Sequence, residues 1–319
     1  MQRIVKAAAL TALVTLACSS PAQQLKGKKV YYINAYHTGY AWSDGEEQSV
    51  LKGLEPLGVE VKIARMDTYN DKTPEHLAKV SAECQATIDE WKPDVVVVSD
   101  DAPMKAVYKP FYKDKDVPFV FCGVNWTAEA YGVPNKNVTG MLEICPVQDL
   151  VAEMRKITPG KTIGFLAADA FTPRKDGENS SKVLGVELQC IYAKTFAEWK
   201  QGFLDLQSKV DLLIIGPNMG ITGWDEAAAR AFAEANTKIV TGAFHDFLNN
   251  LALVSFNKLA SEQGEWAAQA AVQIMKGTSA GTIPVASNQK GELVINARIA
   301  KKSGISPAFE LLQSAKVLE

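Results

Sequence analysis

The chain has 319 residues, more than a single core usually supports, which predicts two domains. A hydrophobic fraction of 47% and a charged fraction of 22% are those of a globular protein and exclude extensive disorder. The formal charge of −2, with no dense basic block, excludes tracking of a phosphate backbone, so nucleic acid is not an expected partner.

Arg3 and Lys6 make a positive start, and residues 7–17 form an apolar run of signal-peptide length. The run is too short to span a bilayer, which takes about 20 apolar residues. No later segment is long and apolar enough either, so residues 1–22 are expected to be a signal peptide on an exported protein. Thr15-Leu16-Ala17-Cys18 resembles a lipobox with Cys18 as the lipidated residue, although that pattern prefers Leu where Thr15 stands. Cleavage after Ala22 is the alternative. A diacylated Cys18 would hold the protein on the outer face of the cytoplasmic membrane; without it the expected location is the periplasm.

Next come strand-like and helix-like runs in alternation. The apolar and aromatic run 29–34 predicts a first strand, 43–57 a helix ending near Pro56 and Gly58, and 59–65 a second strand. Residues 74–91 predict a helix with Thr73 as N-cap and Pro93 just past its end. The β-branched run 95–99 fits a strand buried on both faces of a parallel sheet, and 117–122 is another strand. The pattern then repeats. Residues 147–156 predict a helix, 162–167 and 186–192 strands, 197–209 a helix, 211–215 a strand, 225–236 a helix and 238–243 a strand. A long amphipathic helix follows at 261–275, stopping at Gly277, then a short strand at 293–296 and a last helix from Ile299.

Such alternation implies an α/β protein with parallel sheets, helices on both sheet faces and right-handed crossovers. The two sets predict two lobes: residues 23–125 with about 254–282, and 126–253 with about 283–319. Hinges are expected at the loop-rich segment 125–140 and at 247–255. Cys84, Cys122, Cys145 and Cys190 form no CxxC pair and the chain has 3 His, so neither a metal site nor a cofactor is expected. Their spacing leaves the disulfide state open; Cys122 and Cys190 read as small apolar residues in or beside strands.

Ligands of open parallel sheets bind beyond the carboxyl ends of the strands, which selects the loops to read. The first strand leads into Tyr36, His37, Tyr40 and Trp42, with Gly39 free to turn sharply and Asp44 close by. Later strand ends lead into Asp100 and Asp101, into Asn125 and Trp126, and, in the second half, into Asp169 and Phe171, Asn218, and His245 with Asp246. Aromatic walls with a few placed polar groups are the composition of a small-molecule cleft. Each residue has a plainer role too. Trp42 could pack at the start of the following helix, Asp44 could cap it, one of Asp100 and Asp101 could cap the next, and Asn125 could bond hinge backbone. His245 beside Asp246 has the composition of a general-base pair, which keeps an exported hydrolase or lyase as an alternative. Otherwise an enzyme is not expected: the chain lacks a Gly-x-Ser-x-Gly elbow, a Walker loop and a dinucleotide glycine motif after the first strand.

The ordered blocks Val117-Pro118-Phe119-Val120-Phe121-Cys122-Gly123-Val124-Asn125, Val138-Thr139-Gly140, Ile157-Thr158-Pro159-Gly160-Lys161-Thr162-Ile163-Gly164, Ile283-Pro284-Val285 and Glu292-Leu293-Val294-Ile295-Asn296 carry a family resemblance. The chain resembles the ABC-transporter substrate-binding family that includes tryptophan/tyrosine-binding lipoproteins. The resemblance implies a type I periplasmic-binding-protein fold: two Rossmann-like lobes with parallel sheets joined by a multi-strand hinge. It implies capture of a small molecule, an aromatic amino acid or related amine, by a monomer that delivers it to an ABC permease in the inner membrane. Asn125 matches the family's Asn after the fourth strand. Asp100-Asp101 departs from the small residues common there, as do Asp169, Phe171 and Arg174 in the loop after the first strand of the second lobe. Tyr36-His37 and Tyr40-x-Trp42 are similar to first-strand loops of related sensor domains, so a ligand-sensing module for a membrane receptor or sensor kinase is the alternative.

Overall fold

The computed structural model of the protein describes residues 25–319; the expected signal segment and Cys18 lie outside them. In the first lobe, β1 (Lys29–Asn34), β2 (Glu60–Arg65), β3 (Val95–Ser99), β4 (Phe119–Asn125) and β5 (Val138–Glu143) are joined by a distant strand, β11 (Ala286–Ser287). They form a 6-stranded sheet in the order β11-β5-β4-β3-β1-β2, parallel throughout. In the second lobe, β6 (Ile163–Ala168), β7 (Gln189–Ala193), β8 (Leu212–Ile215), β9 (Val240–Ala243), β10 (Val254–Lys258), β12 (Gly291–Asn296) and β13 (Lys316–Leu318) form a 7-stranded sheet, β13-β12-β10-β9-β8-β6-β7. Here the pairing of β10 with β12 is antiparallel. The helices are α1 (Ala41–Leu54), α2 (Pro74–Trp91), α3 (Val147–Ile157), α4 (Phe171–Leu184), α5 (Phe196–Gln207), α6 (Glu226–Asn236), α7 (Ala260–Met275), α8 (Ala297–Ser303) and α9 (Phe309–Ser314). A turn at Asp101–Pro103 also runs into a π-helix, Met104–Tyr112.

Period-two alternation explains how each sheet is covered on both faces. On β3, Val95 and Val97 point to one core with Val30, Tyr32 and Val120, closed by Val50 and Leu54 of α1 and the alanines of α7. Val96 and Val98 point to the opposite core with Tyr31, Phe119 and Phe121, closed by Cys84 and Ile88 of α2 and by Met104 and Tyr108. The second lobe repeats the device: Phe165 and Ile214 face α3, while Leu166 and Ile215 face Trp199 and Phe203 of α5. Thr73 caps α2 as the sequence predicts, its side chain accepting the His76 N–H at 3.3 Å with Pro74 in the first turn.

Helices α1 and α7 pack closely because small residues face each other. A Cβ on Gly53 would lie 2.6 Å from Ala268 Cβ. Replacing Gly53 by Leu is therefore expected to force the two helices apart and destabilise the protein by about 1–3 kcal/mol. Urea unfolding reads this directly; an unchanged midpoint would mean that the helices yield without cost.

The chain crosses between lobes after β5 through residues 144–146, after β10 through Leu259, and after β11 through residues 288–290. This differs from the sequence reading, which sets the boundary at residue 125 and the hinges at 125–140 and 247–255. Pairing of β5 with β4 carries residues up to Glu143 into the first sheet, and pairing of β10 with β9 keeps 254–258 in the second. The segment around Gly140 reads as a loop, yet it is a strand in which the Phe121 ring lies where a Cβ would be. Likewise α4 occupies sequence read as a loop around Phe171 and Arg174. Cys84, Cys122 and Cys145 are buried free thiols and Cys190 is an exposed one on β7. No helix among the described residues is long and apolar enough to cross a membrane.

Candidate functional site

Both sheets point strand carboxyl ends toward the crossovers, and there the chemistry-bearing side chains gather. The β1–α1 loop is held by its own polar groups: Asn34 Oδ1 accepts the Tyr36 N–H at 2.9 Å and Asp44 Oδ2 accepts the Gly39 N–H at 2.8 Å. Gly39 adopts φ 99°, open to glycine without strain. Asp44 thus closes this loop rather than capping α1, whose N-cap is Tyr40. The loop so held carries an aromatic shelf. Tyr36 and Tyr40 have ring centroids 4.5 Å apart, and Tyr69, after β2, lies 5.6 Å from Tyr40 and 5.7 Å from His37. His37 Nδ1 is 3.3 Å from Asp67 Oδ1.

Below the shelf lie carboxylates. Glu46, on the buried face of α1, is fully buried, and among the described residues neither carboxylate oxygen has a hydrogen-bond partner. It sits over Gly123, where φ is 70° and an added Cβ would come within 2.6 Å of Glu46 Oε1. Asp100 is buried with a left-handed φ of 69°, a strained backbone for a residue with a side chain, and among the described residues its carboxylate accepts only the N–H of Asp101, at 3.3 Å. Asp101, by contrast, is fully engaged. Tyr131 Oη donates to Oδ1 at 2.6 Å, and the Asn125 side chain and backbone N–H donate to Oδ2 at 3.0 and 3.3 Å. Among the described residues Asp100 is thus the less engaged of the two, capping the turn that follows, while Asp101 and Asn125 brace each other. Glu47 is paired with Arg65 and accepts from Asn34.

Glu143 and Lys258, the last residues of β5 and β10, form a buried ion pair at the crossovers, with Lys258 Nζ 5.1 Å from the Trp42 ring centroid. This one cation does not offset Glu46, Asp100 and Glu143 together. Burial, and then repulsion from Asp100 and Glu143, holds the Glu46 carboxyl well above the usual range. Burial and then the Glu143 charge do the same to Asp100. The Asp100 charge, ahead of burial, pushes the Tyr36 hydroxyl up; burial raises Tyr40 to about 12.

The second-lobe wall is different. Asp169 is neutralised between Arg174 at 2.6 Å and Lys194 at 3.8 Å, with Arg174 first in holding its carboxyl down, so it is not a free acceptor as the sequence suggests. Phe171, at the first position of α4, is 83% exposed, and Asn218 lies beside exposed Met219. Asp246 is exposed and accepts the Phe247 N–H at 2.8 Å; no hydrogen bond or ion pair among the described residues joins it to His245. The general-base pair suggested by sequence adjacency is therefore not assembled among the described residues. His245 packs against Phe244 and Phe247 (centroids 5.0 and 5.1 Å), with Nε2 unpaired. Burial, then Lys258, keeps its imidazole neutral well below the ordinary histidine range. Trp126 is less an apolar wall than a tie: its indole N–H donates to Asp176 of α4 at 2.8 Å, and Lys175 Nζ donates to the Asn125 carbonyl at 3.0 Å.

Sequence reasoning missed Glu46, Tyr69, Glu143, Asp176 and Lys258. Glu143 and Lys258 end strands, and Tyr69 follows one, so the strand-end rule finds them once β5 and β10 are recognised and the loop after β2 is read. Glu46 carries a weaker signal, an acid on the helix face that continues into Val50 and Leu54.

Two lobes with mostly parallel sheets, several crossovers and polar strand ends converging at the junction define a protein of the type I periplasmic-binding class. Residues 31–318 match the family described as ABC transporter substrate binding protein, and the chain belongs to that family. No curated protein matches it. Among solved structures it is similar to an ABC domain in complex with L-Trp from Streptococcus pneumonia, at 19% identity and TM-score 0.63, covering 91% of this chain and 100% of that one. It is also similar to the ligand-free, open form of a substrate binding protein with adhesive properties from Clostridium difficile, at 18% identity and TM-score 0.72, covering 92% and 99%. A conserved domain protein from Vibrio cholerae matches at 20% identity and TM-score 0.64, covering 92% and 100%. The family and fold are those of solute-binding proteins.

Proposed function

We propose that the protein captures a small molecule bearing an ammonium group, foremost an aromatic amino acid or related amine, and presents it outside the cytoplasm to an ABC permease. The observation that carries this reading is the pair of buried carboxyl groups, Glu46 and Asp100, that have no ion-pair partner among the described residues, beside a shelf of tyrosines. Burial holds both acids toward the protonated form in the empty protein, and an ammonium group arriving beside them would stabilise the charged form as a desolvated pair. Stacked rings add about 0.5–1.5 kcal/mol each beyond buried area. The L-Trp bound by the Streptococcus protein agrees with such a ligand. Exposed Phe171, Met219 and Phe247 on the opposing wall would be covered on closure, by bending at residues 144–146, 259 and 288–290. The ligand drives closure by the extent to which it prefers the closed form.

Thermal shift with matched pairs tests this. Tryptophan, tyrosine and their decarboxylated amines are expected to stabilise the protein, by about 2.7 kcal/mol at 100 times the dissociation constant. The corresponding ring-bearing acids without an amine are expected to have no effect. Equal stabilisation by those acids would refute the cationic reading.

A further inference from the structure

Cys145, Asp176 and His245 meet where the first crossover enters the second lobe. Cys145 lies between β5 and α3, Asp176 on α4 and His245 directly after β9. One ligand atom from each lies within 4.8 Å of the other two. Their separation along the chain hides the cluster from any spacing rule, which is why the sequence predicts no metal. Cys145 and Asp176 are buried, and Cys145 Sγ donates to Asp176 Oδ1 at 3.7 Å. The Trp126 indole N–H holds that same oxygen, no protein donor among the described residues reaches Asp176 Oδ2, and His245 Nε2 has no partner.

We propose that Cys145, Asp176 and His245 form a binding site for a divalent transition metal of the zinc type. A thiolate, a carboxylate and a neutral imidazole sum to a charge of −2, matching the ion. A sulfur, an oxygen and a nitrogen donor suit zinc and discriminate against calcium and magnesium, which need more oxygen ligands. Tetrahedral bonds of about 2.0–2.3 Å put donor atoms about 3.5 Å apart; the Cys145–Asp176 pair is at 3.7 Å, and the widest pair, within 4.8 Å, would draw in on binding. Three protein ligands leave a fourth position for water or a guest. Trp126 fixes the Asp176 carboxylate from outside, as second-shell donors do at metal sites. Lys258 is the charge that opposes a cation here, and Glu143 already pairs with it. On binding, the sulfur lone pair goes to the metal and the thiol proton to solvent. Trp126 comes from the first lobe, so a loaded site would tie both lobes to one ion.

The test is titration of the metal-free, full-length protein with cobalt(II), which reports thiolate ligation by a sulfur-to-metal charge-transfer band. One equivalent is expected to bind, to produce that band and to be displaced by zinc. Cys145→Ser should abolish the band, and His245→Gln should weaken cobalt binding by about tenfold or more. Cys190→Ser, which removes the exposed thiol on β7, should leave the band unchanged. Circular dichroism establishes that each variant folds. Absence of the band in the parent, or a band indifferent to both Cys145→Ser and His245→Gln, overturns the site. Amine binding does not enter this readout, so it fails or succeeds independently of the proposed ligand.

Discussion

Asp100→Asn is expected to weaken amine binding by a factor between about 30 and several thousand while making the empty protein more stable at neutral pH. The first effect follows from removing one member of a desolvated charge pair, which costs about 2–5 kcal/mol, with 1.36 kcal/mol for each tenfold. The second follows from the cost of the unpaired acid. Burial and the Glu143 charge raise the Asp100 carboxyl above its unfolded value of about 3.9, and Glu46 is raised in the same way. Between the unfolded and folded pKa the native state binds more protons than the unfolded chain. The contribution of these groups is thus complete below about pH 4 and is lost as pH rises toward their folded values. The empty protein should lose stability across that window; Asp100→Asn and Glu46→Gln should each flatten the decline, because an amide carries no charge to desolvate. Melting curves against pH, paired with calorimetric titration of the amine, measure both halves. Unchanged affinity in Asp100→Asn would sink the assignment of Asp100 as the ammonium acceptor. This is the exchange expected of a binding site: strain accepted in the empty form is relieved by the ligand.

The lobes were legible in the sequence because each strand run is short, β-branched and bounded by helix signals, as at β1, α2 and β3, whose limits coincide with the structure. The class of fold followed from that alternation, and the family resemblance pointed to the same one. The lobe boundary was not legible. Strand β5 contains Gly140 and follows a loop rich in Asn, Gly and Pro, so nothing local marks it as a strand; its identity comes from pairing with β4, a nonlocal fact. The site was half legible for the same reason. Residues that follow recognised strands, such as Tyr36, Tyr40 and Asp100, could be named, but sequence could not say that Asp101 spends both oxygens on Tyr131 and Asn125 while Asp100 spends almost none. Asp169 looked like a ligand group because its partners, Arg174 and Lys194, come from a helix not foreseen and from a strand end elsewhere.

Lys258→Met is expected to be the most damaging single change in the cleft, destabilising the protein by about 3–5 kcal/mol. The side chain is almost wholly buried and its charge faces Glu143, with Glu46, Asp100 and Asp176 near enough for each carboxyl to feel it. Methionine keeps most of the volume but not the cation over the Trp42 ring, so the loss is of charge rather than packing. What remains is a cluster of buried acids without a cation, and each must take up a proton or desolvate its charge. The position compounds the effect, because Glu143 and Lys258 end the strands that lead into two of the crossovers. Adding Glu143→Leu should restore a large part of the loss, since replacing both members of a buried pair by apolar groups of similar size is often nearly neutral. A double-mutant cycle in urea separates the readings. A strongly favourable coupling energy means that the pair acts as a unit at the hinge. Additive losses, with no restoration in the double variant, would instead mean that Lys258 serves the acid cluster as a whole, and the double variant should then show a steep fall in stability with rising pH from Glu46 and Asp100.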